Sequence, residues 1–254
     1  MTAAHLCRST PTARPIPAFC AAVLLGLTPM AATAGGKFVV PQGCTAFLTV
    51  QHSDCQVSNH YTCAADPKGD QWAVYAGQDG PFYMSRIDGE TRWVESYDLT
   101  NGVSETIGSE AQPASFSDLL KSGRDDYDFA TKSSNGEQQR YAGYDKLNGQ
   151  TVTIDGIALE QTEFELTTYG EDGKMLSRRK GGQLISRDWR LFFADQEDFE
   201  TAGGDTGRVL DRPMTFAKPG EPGFLAAAPL FGCSMTTAQT TLPLMTEIPD
   251  HDQF

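Results

Sequence analysis

The chain has 254 residues, and its 33 Asp and Glu outweigh its 20 Lys and Arg to give a formal net charge of −13 at pH 7. A field of that sign repels nucleic acid and anionic lipid surfaces, so the composition argues against a nucleic-acid partner and favours an acidic, well-solvated surface. The length suits one all-β domain or two small domains.

The first 34 residues have the pattern of a secretory signal peptide. Arg8 and Arg14 give a positive start, residues 18–27 are apolar, and residues 32–34 form a small-x-small cleavage site. The apolar run is too short to span a membrane. We therefore expect export to the periplasm or the extracellular space, with no stable membrane insertion after cleavage. The mature protein is then a single β-rich domain, residues 35–234, with a flexible acidic tail, residues 235–254.

Four cysteines remain after this cleavage, namely Cys44, Cys55, Cys63 and Cys233. An even number of cysteines in an exported chain favours disulfides over metal binding. A turn at residues 52–55 sets Cys44 directly opposite Cys63 and leaves Cys55 for Cys233. A turn at residues 58–59 predicts Cys55–Cys63 with Cys44–Cys233 instead. We favour the first pairing and keep the second as its alternative.

Two histidines flank these cysteines, which raises the question of a zinc site. His52 and His60 alternate with Cys55 and Cys63, but their spacing matches no zinc-finger pattern, and exported thiols tend to oxidise. The sequence therefore favours a hairpin with two surface histidines, without a metal or other cofactor. Serine catalysis finds no support either, because there is no G-x-S-x-G motif.

Asp-Gly and Asn-Gly dipeptides punctuate the middle of the chain. They tolerate the positive φ angles of hairpin turns, and between them lie short runs rich in aromatic and β-branched residues. One helix is predicted over residues 115–122, with Ser115 as its N-cap and Gly123 as its stop. The predicted strands cover residues 71–76, 81–87, 91–99, 127–132, 138–144, 151–154, 157–169, 174–179 and 183–193.

Alternation within these runs favours antiparallel strands. Thr162, Phe164 and Leu166 share one face of residues 160–169, while the intervening residues are polar. The predicted fold is mainly β: an antiparallel meander forming a strongly curved sheet or half-barrel with one short helix. A two-sheet β-sandwich is the alternative.

Charged clusters are the next candidates for chemistry. The acidic segments 125–128 and 195–200 contain ligand types suitable for calcium, or a carboxylate pair for glycoside hydrolysis. Neither matches a known spacing, so solvated acidic loops are the favoured interpretation. The basic segment 178–180 is interpreted as protection of a strand edge against aggregation.

Aromatic residues in the predicted sheet fill its core or line a ligand cavity. The predicted ligand-facing set is Trp72, Tyr75, Trp93, Tyr97, Trp189 and Phe192. Because no catalytic pattern stands out, the sequence favours a binding or accessory protein of the cell envelope over an enzyme, with an apolar ligand or an envelope protein as its partner. A carboxylate-dependent hydrolase or calcium-binding enzyme is the alternative.

Overall fold

A computed structural model describes residues 36–233, and the structural statements below refer to this part of the chain. The predicted signal peptide and the predicted tail lie outside it. The strands are β1 (Cys44–His52), β2 (Val57–Cys63), β3 (Gln71–Gly77), β4 (Gly80–Ile87), β5 (Trp93–Asp98), β6 (Ser104–Gln112), β7 (Arg124–Ser133), β8 (Gln138–Ile154), β9 (Ile157–Gly170), β10 (Met175–Ser186), β11 (Leu191–Thr201), β12 (Thr206–Leu210) and β13 (Pro213–Ala217), and the helix is α1 (Phe116–Ser122).

All thirteen strands form one antiparallel sheet, in the order β12-β11-β10-β9-β8-β7-β6-β5-β4-β3-β2-β1-β13. Every strand pairs with its neighbours in sequence except β13, which crosses over to pair with β1. The mainly β fold, with one open sheet and one short helix, confirms the predicted fold class.

The two outer strands of this sheet are joined by only two residues, Asp211 and Arg212. Three Cα–Cα steps span at most about 11 Å, so the ends of β12 and β13 lie close together and the sheet must curve strongly. The Asp211 N–H donates to the carbonyl of Asp195, and the Ser53 N–H donates to the carbonyl of Arg212, at 3.1 and 2.8 Å. The link thereby ties β11 to the β1–β2 turn.

The main hydrophobic core lies where this curvature brings distant strands together. It joins residues from β1 and β13 to residues from β9, β10 and β11, and its buried members are Leu48, Val50, Leu159, Leu184, Leu191, Phe193 and Phe216.

Helix α1 packs separately, with Phe116 and Leu119 buried against Ile185. Ser115 caps the helix by accepting from the Asp118 N–H, and Gly123 ends it in the left-handed region, as predicted from the sequence.

The two disulfides are Cys44–Cys63 and Cys55–Cys233, which is the pairing that the sequence favoured. Cys44 lies directly opposite Cys63 in the β1–β2 ladder. Cys55 lies in the β1–β2 turn, where its N–H donates to the carbonyl of Phe231 at 3.1 Å. The second bridge therefore fastens the last described residues of the chain to this turn.

Close strand packing at two glycines leaves no room for a side chain. A Cβ atom at Gly143 would overlap the carbonyl oxygen of Glu165, and one at Gly181 would overlap that of Gln196. At Gly182, the nearest atom to an added Cβ is the carbonyl oxygen of Thr162, at an ordinary 3.4 Å. Adjacent residues of β10 thus differ sharply in the space available to them.

We expect Gly181→Ala to lower the free energy of unfolding by roughly 2–3 kcal/mol, because the backbone must move to relieve the overlap. Gly182→Ala is the matched control, with an expected change below about 1 kcal/mol. Urea denaturation of the two variants provides the measurement. Equal losses of stability in both would contradict the close approach of β10 to β11.

Candidate functional site

One face of the curved sheet encloses a cavity of about 830 Å³. Residues from β2 through β11 contribute to its wall, so ten successive strands surround the same space. The floor is a row of directly opposed residues that runs across β2 to β6. In order, this row consists of His60, Ala73, Ser85, Ser96 and Glu105.

Large side chains flank this row on both sides. On one side Tyr75 lies opposite Tyr83, with ring centroids 6.1 Å apart, and on the other side Ile87 lies opposite Trp93. Because Ala73, Ser85 and Ser96 are small, the ridges enclose a groove that crosses the strands. The facing wall includes Thr131, Tyr141, Leu166, Thr168, Leu191 and Phe192.

The six aromatic residues singled out in the sequence divide between the cavity and other places. Tyr97 lies on the other face of β5, where its ring stacks 6.3 Å from that of Trp72. Trp189 packs on Phe216 beside the main core, with centroids 5.6 Å apart. The Trp72 ring lies on that same other face and only borders the cavity, so the wall contains three of the six, Tyr75, Trp93 and Phe192.

The two arginines of the cavity wall are both neutralised by acids. Arg86 bonds to Asp70 at 2.5 Å and to Glu95 at 2.6 Å. The other, Arg179, bonds to Glu197 at 2.8 Å. With Glu105 also in the wall, the cavity offers an anionic ligand little electrostatic attraction.

A chain of buried polar side chains begins at His60 and leads away from the groove. The Nε2 atom of His60 lies 3.0 Å from Ser58 Oγ, which lies 2.9 Å from His52 Nε2. On its far side, His52 Nδ1 lies 3.5 Å from Asp211 Oδ1. His52 and His60 are each 3% exposed and Ser58 is 0% exposed, so the prediction of surface histidines was wrong. They are buried because β1 and β2 lie inside the sheet and face the opposite half of its curve.

The Asp211 carboxylate determines the direction of the hydrogen bonds. It favours a proton on His52 Nδ1, which makes His52 Nε2 an acceptor for the Ser58 hydroxyl. Ser58 Oγ can then accept from a proton on His60 Nε2. Burial, with a smaller contribution from nearby His52, lowers the pKa of His60 to about 3, so His60 is neutral. Its Nδ1 atom is therefore a bare acceptor, and it has no partner among the described residues.

Asp211, His52 and Ser58 follow the order of a serine-hydrolase triad, although His52 Nδ1 and Asp211 Oδ1 make no hydrogen bond at their 3.5 Å separation. Ser58, however, has no exposed surface, and its hydroxyl is held between two imidazoles. A substrate carbonyl cannot reach this oxygen in the observed conformation. Ser58 is accordingly a positioning residue for His60. The sequence interpretation missed the chain because Asp211 is 159 residues from His52.

The four residues that were weighed as zinc ligands are used in other ways. Cys55 and Cys63 are both in disulfides, which removes their thiolates from the set. Within residues 36–233, no group of three or more His, Cys, Asp or Glu side chains is arranged to hold a metal ion.

Strand alternation divides the acidic segment 125–128 between two faces. Asp126 and Asp128 are on the outer face, where they pair with Arg124 and Arg140. Asp125 faces inward, into a second cavity of about 160 Å³, as does Tyr127. The segment is thus part of strand β7 and not the solvated loop that was predicted.

Asp145 lies directly opposite Asp125 and also lines the second cavity. Asp125 accepts a hydrogen bond from the Ser115 N–H at 2.8 Å, which links the pair to the start of α1. Burial raises the pKa of Asp125 to about 6 despite this bond. Burial, reinforced by repulsion from Asp125, raises the pKa of Asp145 to about 7. The second cavity shares Trp93, Leu166 and Phe192, among others, with the large one.

The remaining charged segments are part of the interior strands. In residues 195–200, Asp195 pairs with Arg212 and Asp198 pairs with Arg208, within β11 and not in a loop. The basic segment 178–180 lies in β10, between β9 and β11, so its predicted role at a sheet edge was wrong. Arg178 and Arg179 of this segment pair across strands with Glu165 and Glu197.

The described residues include no helix long and apolar enough to cross a membrane. Comparisons of the chain with protein-family models, curated proteins and solved structures found no match. Its functional assignment rests on the geometry of the groove, the buried polar chain and the acid pair.

Proposed function

We propose that this protein is an exported binding protein that holds an elongated, largely apolar ligand in the 830 Å³ cavity. The observation that carries the proposal is the row of small side chains between two ridges of large ones. The volume lies within the roughly 300–1,000 Å³ typical of ligand pockets. Its wall combines aromatic and aliphatic side chains with many polar ones, although most of its accessible surface is apolar.

The location in an oxidising compartment has two supports. The N-terminal segment has the order of a signal peptide, and the protein carries two disulfides, which persist in exported proteins. In the cell envelope, an apolar molecule needs a protein to shield it from water. The groove fits that task better than docking on an envelope protein, because its apolar side chains face a concave space.

Binding of a neutral, solvatochromic dye such as N-phenyl-1-naphthylamine tests the proposal. We expect the wild-type protein to enhance its fluorescence saturably. Ser85→Phe places a ring in the middle of the row and is expected to weaken dye binding at least roughly tenfold, because the ring occupies the ligand's volume. Lys132→Phe adds the same ring at an exposed position of β7 and serves as the matched control.

Dye binding that is equal in both variants would place the dye outside the groove. Absence of saturable binding to wild type would reject the proposed function. Native mass spectrometry of the protein purified from its own cells complements this test, because a carried ligand adds a defined mass that Ser85→Phe removes.

A carboxylate-dependent hydrolase is the second candidate, and the opposed pair Asp125 and Asp145 is the observation that favours it. Directly opposed residues have Cβ atoms roughly 4.5–5.5 Å apart, close enough for two carboxyl groups to act on one bond. Turnover of nitrophenyl glycosides that is lost in Asp145→Asn and kept in Asp126→Asn is the expected result for this candidate. No turnover across the common sugars would reject it.

A further inference from the structure

His60 gives the cavity a chemical preference. It belongs to the wall of the groove, yet it is 97% buried, being only 3% exposed. Its Nε2 atom is bonded to Ser58, while its Nδ1 atom has no partner among the described residues and almost no accessible surface, so a ligand reaches it only when a neighbouring side chain shifts. A buried acceptor without a donor is costly, and a ligand that supplies the donor recovers that cost.

The proton of the imidazole is fixed by groups outside the groove. In the other tautomer, His52 Nδ1 would carry a lone pair instead of a proton. That lone pair would lie 3.5 Å from the Asp211 carboxylate, and the two would repel each other. The observed contacts therefore favour the direction in which His60 donates from Nε2 and offers Nδ1. Asp211, His52 and Ser58 act as positioning residues for this acceptor.

The charges of the wall limit the donors that a ligand can bring. Arg86 and Arg179 are neutralised by acids, so a carboxylate or phosphate finds no free cation in the wall. An ammonium group would have to leave water to reach a neutral imidazole surrounded by aromatic rings, with centroids 6.2 Å away for Phe47 and 6.3 Å for Phe193. An uncharged hydroxyl meets neither penalty.

Resting on the function proposed above, we propose that the cavity selects apolar alcohols, whose hydroxyl group donates a hydrogen bond to Nδ1 of His60. The apolar body of the alcohol then lies along Ala73, Ser85 and Ser96. Recognition is by a neutral hydrogen bond to His60 at one end of the groove and by contact with the small side chains along the rest.

Three probes with the same chain test this inference: 1-decanol, decyl methyl ether and decanoate, each displacing the bound dye at pH 8. The ether keeps the oxygen and the chain but lacks the donor. We expect the alcohol to bind roughly five- to tenfold more tightly than the ether, and decanoate to bind most weakly.

His60→Phe removes the acceptor and retains an aromatic ring, so the preference for alcohol over ether is expected to disappear while ether binding persists. Ser58→Ala frees the imidazole to change tautomer, and we expect the same preference to fall partway. Persistent ether binding shows that these variants are folded. The ¹⁵N resonance of His60 Nδ1 tests the inference without any substitution. In the wild-type protein, this resonance should shift when decanol is added and stay unchanged when the ether is added.

An unchanged ratio of alcohol to ether binding in His60→Phe would overturn the inference, as would equal binding of both by the wild type. Either result leaves the binding function standing. Failure of all three probes and of the dye to bind would instead overturn the binding function, and the inference with it.

Discussion

Removal of the Cys55–Cys233 disulfide by a double change to serine is expected to lower the free energy of unfolding by about 5 kcal/mol in the chain-entropy model. The two cysteines are 178 residues apart in sequence, so the bridge restricts nearly the whole described chain when it unfolds. Folded domains are typically stable by only about 5–15 kcal/mol, so this one loss is enough to unfold much of the population.

The Cys44–Cys63 bridge is an internal control, because it closes a short loop with a separation of 19 residues. Its removal is expected to cost about 3 kcal/mol in the same model. Urea denaturation of the two double variants, followed by tryptophan fluorescence, compares the losses. A larger loss for the short loop would show that local strain or packing, and not loop entropy, dominates at one of the bridges.

Noncovalent contacts hold the C-terminal segment in place when the long-loop bridge is absent. The Gln51 side chain donates to the carbonyl of Ala228 and accepts from the Leu230 N–H, at 3.2 and 2.8 Å. Asn59 donates to the carbonyl of Ala226 at 2.8 Å. Because these bonds exist only in the folded state, we expect the molecules that stay folded without this bridge to keep the C-terminal segment in its native position.

The β1–β2 hairpin explains why the disulfide pairing was predictable from sequence. Counting from the turn placed Gln51 opposite Gln56, whereas the ladder has Gln51 opposite Val57. A bulge between Ala46 and Leu48 restores the register, so that Cys44 still faces Cys63. The turn residues were therefore sufficient to predict the cysteine pairing. The one-residue bulge was not predictable, because it depends on packing that local sequence patterns do not indicate.

The prediction of hairpin turns at Asp-Gly and Asn-Gly dipeptides was correct where the dipeptide joins two strands. It was wrong where the dipeptide forms a bulge within one strand. Asn148-Gly149 was expected to separate two strands, yet β8 continues through it to Ile154. Gly149 has a φ of 78°, and the register shifts between Leu147 and Thr151, which is the geometry of a bulge. Sequence alone does not distinguish the two uses, because both need a residue that tolerates positive φ.

Strands β6, β12 and β13 were not predicted, for physical reasons. Strand β12 is only five residues long. Strand β6 is largely polar, without a regular apolar face. Strand β13 is only five residues long, and it pairs with β1 at the far end of the chain. The same long range hides the contact of Asp211 with His52. From the sequence, the cavity could therefore be predicted only as a set of aromatic residues on a curved sheet. The row of residues that ends at His60 could not be predicted.

Raising the pH from 5 to 8 is expected to destabilise the wild-type protein by about 2.5 kcal/mol more than it destabilises Asp145→Asn. In the folded protein, burial and the neighbouring Asp125 raise the pKa of Asp145 from the usual 3.8 to about 7. Between these values the folded state binds a proton that the unfolded state has released. Its stabilising contribution is therefore complete below about pH 4 and is lost as the pH rises through about 7.

Asparagine keeps the shape of the side chain and is neutral throughout this range, so Asp145→Asn should be more stable than wild type at pH 8 and less dependent on pH. Burial raises the pKa of Asp125 to about 6, so this residue adds to the slope in both proteins. The ion-paired acids act in the opposite direction: Arg124 lowers the pKa of Asp126 and Arg140 lowers that of Asp128. Their contributions are lost only as the pH falls below about 4, outside the measured window.

Asp126→Asn is the matched control, because it makes the same chemical change one residue away on the exposed face of β7. Urea denaturation at pH 5, 6, 7 and 8 should give this variant the wild-type slope of stability against pH. Parallel slopes for wild type and Asp145→Asn would mean that the acid pair is ionised in the folded protein, with water or a cation in the second cavity compensating its charge. A shallower slope for Asp145→Asn alone instead assigns the difference in pH dependence to the buried Asp145 carboxyl group beside the binding groove.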